Sequence, residues 1–294
     1  MKLRNGLQLR TWIALFVFVI VMQLGWAQDA KPASPEAVKA AVTEIEKALA
    51  GKDPAVKVEA LKKNSAIVDT KTIDAIAKGL REKEQEVKLA AIEALRFMPH
   101  PESRKSLEHW MRSERSLKDQ YEVYAAALRA VGQFGAKESI ELLVEDLWTA
   151  PDNSVMKARL LSLGRIRDRA AVEKLMDLLK SAGQNKVEPF MDDFRLSLMA
   201  LTGVDQGKSR DLWTRWWQDN KDKFTMAKVE PELPKVDSYR WKSYWGEQMG
   251  TPRGEKRGER GTDRAGRERA GTPSKEGSKE GPKAGEAGEP RKQP

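Results

Sequence analysis

The sequence predicts an all-α protein: an α-solenoid of about five helical hairpins, with an N-terminal capping helix in front and a disordered C-terminal tail behind. Three observations lead there. Residues 123–148 read as two short amphipathic helices, because Val123, Ala126, Ala127, Ala130 and Val131 fall at i, i+3, i+4, i+7 and i+8, and Ile140, Leu143, Val144, Leu147 and Trp148 repeat that spacing. The same pattern recurs along the chain at a period in the thirties. Residues 250–294 contain no Val, Ile, Leu, Met, Phe, Trp or Tyr and have nothing with which to build a core.

The first 27 residues read as a cleaved secretion signal. Lys2, Arg4 and Arg10 precede a 13-residue run from Trp12 to Leu24 that is apolar except for Gln23, and Gly25 and Ala27 are the small residues a cleavage site wants. The run suits a signal core better than an uncleaved anchor, being short for a bilayer span. The expected location is therefore outside the cytoplasm, periplasmic or secreted, with no stable membrane span after cleavage. Residues 28–52 are a tether and the capping helix: Ser34 is the N-cap, Pro35 the first helical residue, and Val38, Ala41, Val42, Ile45 and Leu49 the apolar stripe, ended by Gly51.

Residues 53–225 are the repeat array. Thirty-six residues before the central unit, Val87, Ala90, Ala91, Ala94 and Leu95 reproduce its first stripe, with Leu107 and Met111 in the second helix. Thirty-four residues earlier still stand Val56, Ala60, Leu61, Ile73 and Ala77. An offset of 32 forward gives Val155, Ala158, Leu163, Val172, Leu175, Met176 and Leu179. A further 38 gives Leu196, Ala200, Leu201, Trp213 and Trp217. Each first helix is rich in small residues, so its backbone approaches the next closely, and the larger side chains of the second helix fill the space left. Trp213, Trp216, Trp217 and Phe224 are expected to plug the C-terminal end of the array. The polar segment 113–120 is expected to be an irregular junction.

Residues 226–249 are a Pro- and aromatic-rich extension. Residues 228–235, with Pro231 and Pro234, should run extended. Tyr239, Trp241, Tyr244 and Trp245 then either fold back onto the last repeat or form a recognition segment, and they are the candidate partner-contact residues. The tail, residues 250–294, holds 12 Lys and Arg against 8 Asp and Glu. Its Arg-Gly pairs resemble nucleic-acid-binding tails, but it lacks stacking aromatics and an export signal precedes it, so weak contact with an anionic envelope polymer fits better and no nucleic acid is expected.

Within the array, Ala127-Leu128-Arg129-Ala130-Val131-Gly132 and Leu160-Leu161-Ser162-Leu163-Gly164-Arg165-Ile166 resemble the first-helix consensus of the HEAT-repeat family in its short bacterial form. Leu201-Thr202-Gly203-Val204-Asp205, with Trp213-Thr214-Arg215-Trp216-Trp217 and Asn220 after it, is similar to a closing repeat of exported bacterial HEAT proteins. The resemblance covers residues 53–224 and departs from the consensus in the first copy, where no glycine follows Lys63. It implies five HEAT-like hairpins that bind other proteins, and it supplies no catalytic residues.

The remaining chemistry is sparse. The formal charge of +9 falls to +6 without the three cations of residues 1–27, and the tail holds +4 of that, leaving residues 28–249 at about +2 without a basic stripe. The chain has no cysteine, which removes disulfides, thiol nucleophiles and iron–sulfur ligation. His100 lies in a turn between prolines and His109 beside Trp110, neither at metal-ligand spacing. Asp192-Asp193 is read as charge complementing a helix N-terminus rather than as a paired-carboxylate site. No catalytic, cofactor-binding or metal residue is assigned. The expectation is a non-catalytic protein-interaction scaffold with an unidentified protein partner. The alternative is an envelope tether working through the basic tail.

Overall fold

In the computed structural model, the described residues are 33–247. The expected signal and tail therefore lie outside them. Helix α1 (Pro35–Ala50) starts as the sequence requires: the Ser34 hydroxyl accepts from the Ala37 amide, Pro35 occupies the first turn, and Val38, Ala41, Ile45 and Ala48 are buried. It packs on the first hairpin, α2 (Pro54–Asn64) and α3 (Thr70–Lys78), and so covers the face that no preceding repeat would cover. The glycine missing after Lys63 is replaced by Asn64, whose side-chain amide donates to the Ala60 carbonyl at 2.9 Å.

Four more hairpins follow: α4 (Gln85–Arg96) with α5 (Pro101–Ser113), α6 (Tyr121–Gln133) with α7 (Ile140–Val144), α8 (Asn153–Arg165) with α9 (Arg169–Ser181), and α11 (Met191–Thr202) with α12 (Arg210–Asn220). A one-turn helix α10 (Gln184–Val187) lies in the last connection. The first helices stack in series, α2 on α4, α4 on α6, α6 on α8 and α8 on α11. Because each has a neighbour on either side, it buries more than one stripe. Tyr124 and Leu128 are buried in α6 beside Val123, Ala127, Ala130 and Val131, whereas Ala126 is only half-buried. One continuous apolar cluster runs from Ile45 to Trp245.

The stack is tightest at α6, α8 and α11. A Cβ built on Gly132 would stand 2.3 Å from Ser162 Oγ and 2.8 Å from Ser162 Cα, and one on Gly164 would stand 2.7 Å from Ser197 Cα. Hydrogen bonds cross the same seams: Ser162 Oγ donates to the Leu128 carbonyl at 3.0 Å and Ser197 Oγ to the Leu160 carbonyl at 2.8 Å. The consensus glycines thus mark backbone approach between repeats, which no larger residue permits.

The second helix of the central hairpin departs from expectation. The stripe from Ile140 to Trp148 predicts one continuous helix, but α7 stops at Val144, Asp146 takes a left-handed conformation (φ 50°), and the chain resumes as a 3-10 turn at Leu147–Thr149. The buried guanidinium of Arg159 is the physical reason the break is tolerated. It donates to the carbonyls of Leu142 (3.2 Å), Leu143 (3.1 Å) and Glu145, which a broken helix leaves without partners. Tyr124 Oη accepts from the same group at 2.5 Å.

The polar junction is a 3-10 helix, Arg115–Asp119, anchored by buried Leu117. At the end of the array Trp213 and Trp217 are buried, with Phe224 packed edge-on to Trp217 at 5.7 Å. Of residues 228–235, expected to run extended, 228–229 form a bend, 230–234 carry no regular structure and Lys235 already opens α13 (Lys235–Trp245), a helix that the sequence does not predict. Among the described residues no helix is long and apolar enough to cross a membrane.

Candidate functional site

The first-helix side of the array carries arginines toward the C-terminal ends of its helices, at Arg96, Arg129 and Arg165, with Arg195 on α11. They gather the C-terminal segment. Arg195 forks onto Asp237 at 3.1 and 3.0 Å while also holding Asp205 at 2.8 and 2.6 Å. That pairing holds the Asp205 carboxyl below its ordinary range and drives the Arg195 guanidinium upward. Arg165 reaches Glu230 at 3.3 Å and Glu247 at 2.9 Å and lies over the Trp245 ring. Arg167 donates to the carbonyls of Ala200 (3.0 Å) and Ala227 (2.7 Å). Arg96, its side chain fully enclosed, donates to the Trp245 carbonyl at 2.6 Å and pairs with Glu93 at 3.1 Å. Burial, then repulsion from Arg129, lowers the Arg96 pKa, but an arginine stays charged at any working pH.

This arrangement decides the fate of the candidate partner-contact residues. Trp241 and Trp245 are each 1% exposed and pack edge-on to one another at 5.6 Å, so these two are core groups and not surface contacts. Asp237, Trp241 and Trp245 recur every four residues along the buried side of α13. Tyr239, at 57% exposed, faces outward. Tyr244 is half-buried beneath Arg129, 5.7 Å from ring centre to guanidinium, and burial pushes its hydroxyl well above the usual phenol range. Burial likewise raises the Asp193 and Glu230 carboxyls, opposed by Lys157 and Arg240 at Asp193 and by Arg165 and Arg167 at Glu230.

Beyond Tyr244 the first-helix face stays open as a groove of ≈ 880 Å³ between α4, α6 and α8. Leu89, Ala125 and Ala126 supply its apolar surface, and Tyr121 and Tyr244 also line it. Its charged groups are Asp119, Glu122 and Asp152 with Arg129 and Lys157. Of these groove residues only Tyr244 is a candidate partner contact from the sequence; Ala126 is read there as part of the apolar stripe and Arg129 as part of a first-helix consensus. Apart from Tyr244 the lining residues belong to three repeats, and only the stacking of α4, α6 and α8 brings them together.

No catalytic constellation is assembled from the residues considered above. His100 caps α5, its Nδ1 accepting from the Glu102 amide at 3.2 Å, and His109 is exposed. Asp192 pairs with Lys208 at 2.8 Å in the first turn of α11, while Asp193 turns into the interior beside it. Among the described residues no group of three or more His, Cys, Asp or Glu side chains is placed to hold a metal ion.

No curated protein matches the chain. Residues 116–187, which span the hairpins α6–α7 and α8–α9, match the family described as HEAT repeats. The match covers the third and fourth of the five hairpins of this all-α solenoid.

Proposed function

We propose that this protein is a non-catalytic interaction scaffold of the bacterial envelope or periplasm, which binds another protein through its stacked helices. The observation that carries the reading is the open groove on the first-helix face: it is a continuous surface drawn from three repeats, on a fold whose polar interior groups serve to hold repeats together. The expected secretion signal supports the location. HEAT repeats commonly work as protein-binding scaffolds, and the small residues and buried arginines here are explained by packing alone.

The test is an affinity capture from native envelope extract with the chain from residue 28 onward, with and without residues 250–294. Capture of the same proteins by both forms is the expected result. Capture only by the tailed form, abolished by salt, would make the tail the working element and the repeats its support.

A further inference from the structure

We propose that the outward side of α13 rests on an anionic phospholipid surface and holds the array against it. The inference goes beyond the scaffold reading and does not depend on it, since it uses none of the groove residues. The three most exposed large apolar side chains among the described residues are Val236 (71%), Val229 (66%) and Tyr239 (57%), and all belong to the C-terminal segment. Val236 and Tyr239 lie one turn apart on α13, whose Asp237, Trp241 and Trp245 face inward. By helical spacing Lys235 and Lys242 flank them on one side and Arg240 on the other, all three exposed. An apolar strip edged by long cationic stems is the pattern of a helix lying in a bilayer interface, with the charged ends among the headgroups.

The charges of the segment are sorted between its two sides. Its acids turn toward the array: Arg195 holds Asp237 at 3.1 and 3.0 Å, and Arg165 holds Glu230 at 3.3 Å and Glu247 at 2.9 Å. Its lysines turn outward. Lys228, Lys235 and Lys242 are exposed and make no ion pair among the described residues, and Glu232 is the one exposed acid left in 228–247. Arg240 leans back to within 4.0 Å of Asp237, a carboxylate that the Arg195 fork already fills. The sequence beyond α13 continues the same sign, with seven Lys and Arg against four Asp and Glu in residues 250–269. A helix ridge with charges on flexible stems has no shape with which to select one protein partner. A layer of anionic headgroups requires none, and it attracts each cation brought near it.

The experiment sediments the chain from residue 28 onward with vesicles of phosphatidylglycerol and phosphatidylcholine in equal parts, and with vesicles of phosphatidylcholine alone. The chain sediments with the anionic vesicles, salt releases it, and the neutral vesicles leave it in solution. Lys235→Glu/Lys242→Glu weakens binding by roughly tenfold or more with an unchanged melt, because neither lysine has a partner in the fold. Val236→Ser/Tyr239→Ser weakens it as well, which a purely electrostatic contact would not show. The chain has no cysteine, so Val236→Cys accepts a single environment-sensitive label. Its emission moves to the blue on anionic vesicles, while the same label at Ser113→Cys, on α5, does not shift. Equal sedimentation with both vesicles, none with either, full affinity in the lysine variant, or a silent label at position 236 overturns the assignment. So does complete loss of binding on removal of residues 250–294, since the tail would then be the whole contact. Envelope proteins captured by the parent and lost by the lysine variant, with no vesicle binding, would make the occupant an acidic protein and refute the lipid surface.

Discussion

Adding one methyl group to Gly132 tests the closeness of the stack. In an exposed helix, Gly→Ala is stabilising by about 1 kcal/mol, because alanine restricts the unfolded chain and favours the helix. At Gly132 the new Cβ would meet Ser162 Oγ at 2.3 Å, its Cβ at 2.5 Å and its Cα at 2.8 Å. A serine hydroxyl turns aside at little cost, but the Cα belongs to the backbone of α8 and does not. Ordinary contact begins near 3.4 Å, so α6 and α8 must part by roughly 0.6–1 Å, and a gap of that size forfeits a quarter to a half of each dispersion contact across the seam. Overpacking of this kind costs about 1–3 kcal/mol, more than the helix propensity returns. The Ser162 bond to Leu128 is stretched at the same time. We expect Gly132→Ala to lower stability by about 1–2 kcal/mol, or roughly 2–8 °C in Tm for an array of this size, read by far-UV circular dichroism. Gly183→Ala is the control, since its Cβ would meet nothing within 4 Å; it should be neutral or slightly stabilising. Adding Ser162→Gly to Gly132→Ala should return part of the loss but not all, because the Cα remains. A Gly132→Ala protein as stable as Gly183→Ala would refute the close approach.

Other outcomes follow from the same geometry. Arg159→Met should cost about 2–3 kcal/mol by orphaning the carbonyls of Leu142 and Leu143, whereas Tyr124→Phe should cost about 1 kcal/mol; both are read in urea melts. Leu143→Ala, at a fully enclosed position, should cost about 2–5 kcal/mol in the same assay. Trp241→Ala should undock α13, and hydrogen exchange should report faster amides in residues 235–247 before the repeats are affected. Asp193→Asn should raise Tm at pH 7. Burial lifts the native pKa of this acid above its unfolded value of about 3.9, so its charged form weakens the fold at neutral pH and the penalty fades as pH falls through the raised value. The advantage of the asparagine should therefore vanish below about pH 4, and an advantage that persisted there would contradict the burial argument.

The repeat pattern was legible because each apolar stripe is local: Ile73, Leu143, Leu175 and Trp213 sit at helical spacing, and the structure buries all four. The cap at Ser34 and the break at Gly203, with φ 74°, are likewise written in adjacent residues. Two features were not local. The stripe of α13 begins with an aspartate, so Asp237, Trp241 and Trp245 do not read as one apolar face until Arg195 is seen to neutralise the first of them. The break after Val144 is held by Arg159, from the next repeat, and a helical period carries no trace of it. A signal was present in retrospect. Arg96, Arg129 and Arg165 stand toward the ends of three successive first helices, although their spacings of 33 and 36 residues each miss the repeat offset by about one helical turn.

A chain of repeats in which each touches only its neighbours behaves like a stack of coins: either end frays without informing the other, and the whole bends easily. The bond from Arg96 to the carbonyl of Trp245 joins the second hairpin to residues 149 positions later. It works as a tie-rod laid across a row of arches. Stretching or flattening the array would have to shear this tie, and with it the forks at Arg165 and Arg195. The intervening hairpins should therefore resist pulling as one body and let go together. Cutting the chain before Lys235 would return them to independent units, softer under load and quicker to open one at a time.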